Sequence, residues 1–308
     1  MGNVLVSIIC VAYNHEKYIA EALDSFLMQK TDFDYEILLH DDASTDDTAS
    51  IIKEYEEKYP DRIKAIYQKE NQYSKGIHVF DFYLDIAQGK YIAICEGDDF
   101  WIDPDKLQKQ TDFMENHPDY SVCAHGAYKI NANTSKKVGE VRPSQESRRF
   151  TTEEVIIGGG GLFAMNSIFY ARKFAVRPDF YYECLIGDFP LLVHLAVSGK
   201  VYYIDAFMSA YRVGDANSWT EKMTKSSMDK ITHHFDRVEH MLIKVDEHTN
   251  KIYTEAIHKK IKKNRFDLLI LAGNIEEAKS DEYIEHFQSL SVLKRFKIYI
   301  KKYLLTKS

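Results

Sequence analysis

The chain has little that would commit it to disulfide or zinc chemistry. Its 308 residues include four cysteines, Cys10, Cys95, Cys123 and Cys184, far apart and without a CxxC pair. Several lie in apolar segments, so they read as buried reduced thiols. Positive charge is also in short supply. Forty Lys and Arg against 47 Asp and Glu leave a formal net charge of -7, which argues against nucleic-acid binding by the chain as a whole. No apolar run reaches the length of a membrane-spanning helix. The start carries no basic leader, and polar Asn14-His15-Glu16 follow the first apolar run directly, so no signal peptide is expected. Val6 stands where a myristoylation signal wants Ser or Thr. There is no internal repeat and no low-complexity tract. These absences point to a cytoplasmic protein. What is present is an ordinary globular balance, 45% hydrophobic and 28% charged, enough for one large domain or two smaller ones.

Apolar periodicity gives the order of elements. Leu5 to Val11 is a continuous apolar run and reads as a buried parallel strand. A helix is expected over about Glu16 to Met28, with Ile19, Ala22, Leu23, Phe26 and Leu27 on one face. Tyr35 to Leu39 is a second strand. Ser44, with Asp47 three residues on, offers a cap for a helix ending before Pro60. Ile63 to Tyr67 is a third strand, Gly76 to Ala87 a helix, and Tyr91 to Cys95 a fourth strand. Asp103-Pro104 opens another helix, to about Asn116. Strands alternating with helices predict an α/β fold: a mostly parallel sheet with helices on both faces.

Beyond about residue 119 the pattern loosens. Val122 to Ala127, Ser167 to Ala171 and Val201 to Ile204 read as strands, Asn131 to Arg149 as an exposed loop or hairpin, and Gly187-Asp188 as the start of a helix ending at Gly199. The run Gly158 to Gly161 is either a flexible turn or backbone lying close to a ligand. From about Thr220 the chain reads as a C-terminal helical extension. Met228, Ile231, Phe235, Val238, Leu242 and Val245 form a heptad-like stripe. It would either pack on the rest of the chain or form a homodimer. Residues 290–308 carry Lys294, Arg295, Lys297, Lys301, Lys302 and Lys307 and no acid, with Leu293, Phe296, Ile300, Tyr303 and Leu304 at helical spacing. A basic amphipathic helix suits peripheral contact with an anionic inner membrane face, or simply packing.

The chemistry-bearing residues fall at strand ends. The first strand ends in Ala12-Tyr13-Asn14, the second in His40-Asp41-Asp42, the fourth in Glu96-Gly97-Asp98-Asp99. In open α/β sheets ligands bind at the carboxyl ends of strands. Crowded carboxylates there repel one another unless a cation holds them. A divalent ion with oxygen ligands, Mn2+ or Mg2+, meets that need and commonly also holds substrate phosphates. An aromatic ring, acceptor groups and an acidic cluster in one crevice suit a nucleoside diphosphate. A turn rich in Asp and Gly is also what an ordinary turn looks like.

The same residues resemble the family 2 glycosyltransferases of GT-A fold, a Rossmann-like nucleotide-diphospho-sugar transferase architecture. Val6 through Asn14 is similar to their opening strand, Glu36 through Asp46 to their E-I-I-I-V-D-D-G-S-T-D segment, and Tyr91 through Asp99 to the strand leading to their DxD-type metal motif. Ile186-Gly187-Asp188-Phe189 resembles the segment bearing their catalytic base, and Tyr211-Arg212 the Y-R that closes their domain. The resemblance covers about residues 4 to 219. It implies a catalytic domain over 1–219, with a nucleotide-binding half over 1–118 and an acceptor-binding half over 119–219, followed by the helical region 220–308. It implies an inverting, non-processive transfer of a hexosyl or N-acetylhexosaminyl group from a nucleotide sugar, a UDP-sugar by preference, to a glycan or lipid-linked acceptor in cell-surface polysaccharide synthesis. Ala12, Tyr13, Asn14, Asp42, Gly97 and Asp98 would bind the nucleotide, with Lys75 or His78 replacing a missing diphosphate-binding Arg. Asp99 would ligate the metal with Asp98 and Glu96. Asp188 would be the general base, and Trp219 and Arg212 would meet the acceptor. Departures from the pattern are Glu96 for the usual Asp, Ala43 for Gly, Gly187 for an acid, Phe80 in the place of the Arg-bearing motif, and Gly214 where a metal-binding His is common. They leave as an alternative a nucleotide-sugar binder of the same fold without turnover.

Overall fold

A computed structural model describes residues 4–184, 187–216, 218–291 and 295. The first apolar run becomes β1 (Val4–Ala12), followed by α1 (Ile19–Leu27), β2 (Asp34–Asp41), α2 (Thr48–Lys58), β3 (Ile63–Tyr67) and β4 (Tyr91–Ile94). β5 (Phe100–Trp101), α3 (Lys106–Asn116) and the long β6 (Tyr120–Asn131) come next. β7 (Lys137–Val141), β8 (Arg148–Phe150), α4 (Thr152–Gly158) and β9 (Phe169–Ala171) lead to α5 (Asp188–Ser198) and β10 (Lys200–Val213). The remaining helices are α6 (Trp219–Thr224), α7 (Met228–His248), α8 (Thr254–Ala272), α9 (Ile275–Ala278) and α10 (Ile284–Ser289). The chain divides into two compact units, residues 1–218 and 219–308.

One mixed sheet organises the first unit, in the order β3-β2-β1-β4-β9-β6-β10-β5. β1, β2, β3 and β4 are mutually parallel, as are β6 and β10. β9 runs antiparallel between β4 and β6, β5 closes the far edge antiparallel to β10, and β7 and β8 pair antiparallel with β6 and β10. Period-two alternation explains why β1 is apolar throughout. Val6, Ile8 and Cys10 meet Ile19, Leu23 and Phe26 of α1 on one face. Ile9 meets Leu38, Ile94, Tyr83 and Leu192 on the other. Each fully buried Ile or Leu contributes about 1.5–3 kcal/mol, so a strand covered on both faces is held firmly at the centre. Ser7, on the second face, is reconciled with burial by the Glu36 carboxylate, which accepts its hydroxyl at 2.7 Å and the Gln88 N–H at 2.7 Å.

Two expected elements differ. The helix over Gly76 to Ala87 is instead two short 3-10 turns, Tyr73–Lys75 and Val79–Tyr83. Apolar residues recur there at helical spacing, but Gly76 turns left-handed at φ 78° and breaks the run. α2 begins at Thr48 rather than behind Ser44. The Ser44 hydroxyl is spent on the Asn14 N–H at 2.9 Å, while the Asp46 carboxylate accepts the Thr48 N–H at 3.0 Å. The stretch Asn131 to Arg149 forms a hairpin, with β7 returning along β6 (Ala127 opposite Val141), and β8 then joins β10.

In the second unit, Ile231, Val238, Met241, Leu242 and Val245 of α7 are buried, and α7 packs on α8. Of the six stripe residues Ile231, Val238, Leu242 and Val245 are buried, Phe235 is half-buried and Met228 is exposed. Among the described residues no helix is long and apolar enough to cross a membrane. The basic tail expected to touch a membrane lies largely outside the described residues.

Candidate active site

The three polar strand ends converge because β2, β1 and β4 are neighbours with one direction, Ala12 standing opposite Asp41 in register. Asn14 and Ala43, which follow these strands, both take left-handed backbone, at φ 57° and 61°. The Asn14 side chain accepts the Thr45 N–H at 2.8 Å, stitching the two loops together. Ala12 is buried and its carbonyl accepts the Asp42 N–H at 2.9 Å. Tyr13 is 38% exposed, which leaves its ring open for stacking. Asn14 and Ala12 therefore shape the rim, while Tyr13 presents the free aromatic face.

Asp42 does not offer a free carboxylate to a base. Its oxygens accept the Gln72 N–H at 2.7 Å and the Tyr73 N–H at 3.0 Å, and it is 1% exposed. His40 stands behind it, Nε2 3.3 Å from Oδ1, with its pKa lowered by burial. Asp42 thus pins residues 72 and 73 over the end of β2. Lys75 in that segment is ion-paired with Glu70, so it does not take the place of the missing arginine. His78 packs its ring 4.9 Å from Tyr181, close to Gly187.

After β4, residues 96–99 form a tight turn in which the Asp99 N–H donates to the Glu96 carbonyl at 3.1 Å and the Gly97 N–H to the Val11 carbonyl at 2.9 Å. Its three carboxylates differ. Asp98 is 24% exposed in its side chain and lies 3.9 Å from His15 Nε2. Glu96 is partly exposed. Asp99 is 1% exposed, and both its oxygens are taken, Oδ1 by the Arg212 N–H at 2.8 Å and Oδ2 by Asn166 Nδ2 at 2.9 Å. That corrects the expectation of Asp99 as principal metal ligand. The open donors are Asp98 and Glu96, with the Asp99 charge fixed directly behind them.

Asp188 opens α5 and is partly exposed. Burial pushes its carboxyl up to about 6. Glu96 is pushed well above the usual carboxylate range by burial and then by the charges of Asp188, Asp98 and Asp99. Tyr73 is raised to about 12 by burial and then by Asp188 and Glu96. Asp188, Glu96 and Tyr73 thus lie within electrostatic reach of one another. The departure at Gly187 has a steric cause: a Cβ there would stand 2.8 Å from the Tyr181 hydroxyl oxygen. The run Gly158 to Gly161 follows α4 and turns against Phe189, the neighbour of Asp188. Gly214 takes φ 82°, a conformation that a histidine would adopt only under strain.

Arg212 is not an acceptor contact. It is 9% exposed, donates from NH1 to the Asp98 carbonyl at 2.5 Å, pairs with Glu21, and lies over the rings of Tyr18 and Phe100. It is a strut beneath the acidic turn. Trp219 belongs to the second unit, where its ring meets His234 at 5.4 Å. Sequence reading missed His15 and Asn166. His15 lies within the stretch that follows β1 and was within reach; nothing in the sequence singles out Asn166.

The donor set fits Mn2+ or Mg2+, since hard oxygen donors crowd together and raise one another's proton affinity until a cation relieves them. Among the described residues no three Asp, Glu, His or Cys side chains already form a ligand cage. That suits an ion held by one or two carboxylates and completed by phosphates and water.

Residues 7–177 match the family model described as glycosyl transferase family 2. An uncharacterised protein of Mycobacterium tuberculosis, Rv1520, is 35% identical over 220 residues, 71% of this chain and 62% of that protein. The chain thus spans less than two thirds of that relative's length. Among solved structures, TarS residues 1–349 of S. aureus, in complex with UDP-GlcNAc, align with a TM-score of 0.65 at 17% identity, over 92% of this chain and 79% of that one. The mannosyltransferase PcManGT of Pyrobaculum calidifontis, in complex with GDP-Man and Mn2+, aligns with a TM-score of 0.59 at 15% identity, over 98% and 80%. Identities that low speak for the fold alone, and the fold they share is the mixed α/β architecture described above.

Proposed function

Because the chain belongs to glycosyl transferase family 2, we propose that it is an inverting, metal-dependent glycosyltransferase. It moves a hexosyl or N-acetylhexosaminyl group from a nucleotide sugar, a UDP-sugar in the first instance, to a hydroxyl of a glycan or lipid-linked glycan. The observation that carries this reading is that Asp188, at the start of α5, lies near enough to the acidic turn for its charge to act on Glu96. An acceptor hydroxyl is a poor nucleophile near neutral pH. A carboxylate within about 3 Å takes its proton as the new bond forms. With its carboxyl at about 6, Asp188 is mostly ionised at neutral pH and still basic enough to accept that proton. Attack from the face opposite the leaving group inverts the anomeric carbon, and one base suffices.

Asp98 and Glu96 would hold Mn2+ or Mg2+, whose positive charge stabilises the diphosphate as it leaves. Arg212 holds the Asp98 backbone from below, and Tyr13 offers its face to the base. Residues 1–118 would carry the nucleotide side and 119–219 the acceptor side of this scheme. The reading is supported by family membership, by the strand-end geometry and by the fold shared with TarS and PcManGT. The test is a panel of UDP-, GDP- and dTDP-sugars with Mn2+, read by nucleotide release and by thermal shift. One donor should give metal-dependent release that chelation abolishes. Binding without release for every donor, with glycan and lipid-linked acceptors present, would refute catalysis, and no binding at all would refute the nucleotide site.

A further inference from the structure

We infer that Asn166 is a positioning residue for the metal-binding turn, acting through the buried carboxylate of Asp99. This rests on reading the crevice as a metal–nucleotide site. Asn166 is fully buried, in the 3-10 turn that precedes β9. Every side-chain hydrogen-bonding group it has is used. Nδ2 donates to Asp99 Oδ2 at 2.9 Å and to the Ala210 carbonyl at 2.9 Å, while Oδ1 accepts from Ser209 Oγ at 2.7 Å. Its own carbonyl accepts Trp101 Nε1 at 3.0 Å. The amide can sit only one way round. Flipped, it would set its oxygen against a carboxylate and a carbonyl at once.

The amide therefore ties three segments together: the acidic turn with β5, the start of β9, and β10. Among the described residues, the Asp99 carboxylate accepts hydrogen bonds from this amide and from the Arg212 N–H, and the Arg212 charge adds to them. Asp98, the open donor, is the adjoining residue, and its carbonyl is held by Arg212. With Asp99 anchored on both oxygens and the Asp98 carbonyl held by Arg212, the backbone between 98 and 99 is restrained, and with it the placing of the Asp98 side chain. Loss of the Asn166 amide leaves one buried oxygen of Asp99 without a donor. Asp99 must then turn toward another donor, and that movement re-aims Asp98. Removing an outer partner of a metal site lowers metal affinity by about 10–100-fold.

The experiment measures Mn2+ binding to the full chain by electron paramagnetic resonance of free Mn2+, in the presence of UDP, and UDP binding separately in EDTA. Wild type is compared with Asn166→Ala, Asn166→Asp and Ser209→Ala. The expected result is about 10–100-fold weaker Mn2+ binding for both Asn166 variants, with UDP affinity in EDTA unchanged. A residue that merely holds the fold would weaken both. Should the Asn166 variants not fold, Ser209→Ala decides, since it removes only the hydroxyl that orients the amide; a loss of about threefold or more supports the role. Mn2+ affinity within about twofold of wild type in every folded variant overturns the inference. A wild-type chain that binds UDP but no Mn2+ overturns the metal reading itself, and the inference with it.

Discussion

Lys106 offers the sharpest test of the physical reasoning. It lies at the start of α3 with no exposed surface, its Nζ 3.9 Å from the centre of the Trp101 ring and 2.7 Å from Gln110 Oε1. Burial pushes its ammonium from 10.5 down to about 7. A fall of that size corresponds to about 5 kcal/mol of disfavoured charge. In the unfolded chain Lys106 stays protonated up to about 10.5, so between about pH 7 and 10.5 the unfolded state binds more protons and stability rises with pH. Below about pH 7 both states are charged, and the full cost of burying the charge is present. Lys106→Met removes that cost but leaves Gln110 Oε1 without its donor, a loss of about 1–3 kcal/mol. The net gain near pH 6.5 should be about 2–4 kcal/mol, and it should shrink by about 3 kcal/mol on going to pH 9.5. Urea unfolding followed by Trp101 fluorescence in a Trp219→Phe background reads the first unit alone. A stability difference between the parent and the Lys106→Met variant that stays constant within about 0.5 kcal/mol from pH 6.5 to 9.5 would show that Lys106 titrates normally, and would refute the argument.

Asp188→Asn should lower turnover by about 10²–10⁴-fold while Mn2+–UDP affinity stays within about threefold, measured by calorimetry. In the wild type, kcat/KM should rise with pH through about 6, because the ionised Asp188 is the active form; a flat profile from pH 5 to 7 would remove it as base. Ala43→Gly should raise stability by about 0.5–1 kcal/mol, since relief of left-handed strain outweighs the added freedom of the unfolded chain; a lower melting temperature would contradict this. Asp42→Ala should free the Gln72 and Tyr73 amides, seen as at least about tenfold faster hydrogen exchange at those two positions. Unchanged protection there would mean that something else holds the loop.

Legibility in the sequence followed the locality of the signal. β1, β2 and β4 were readable because strands buried on both faces are apolar without interruption, and their shared direction brings Asp42 and Glu96–Asp99 together. Asp188 was singled out by the resemblance of the motif around it, and the structure sets it at the start of α5. The roles of Asp99 and Arg212 were not. Both are set by partners 67 or more residues away, and burial turned an expected ligand and an expected acceptor contact into supports. β9, inserted antiparallel between β4 and β6, is too short to announce its neighbours. α4 could have been found: Thr151 and Glu154 form a capping box before Val155 and Ile156, the S/T-x-x-E signature of a helix start. The region around Val79 misled because apolar spacing alone cannot separate a helix from two tight turns.

The clasp between Asp42 and the amides of residues 72 and 73 has a bearing on which heterocycle could take their place. The carboxylate is satisfied by two hydrogens arriving side by side. A pyrimidine with a single imide hydrogen would replace one of them, with His40, 3.3 Å from Oδ1, or the remaining loop amide serving the other oxygen. A purine carrying an imide and an exocyclic amine on the same edge replaces both. Competition for this one side chain thus sorts bases by how many hydrogens they present, and it makes order in the 72–73 segment a gauge of which base has come in.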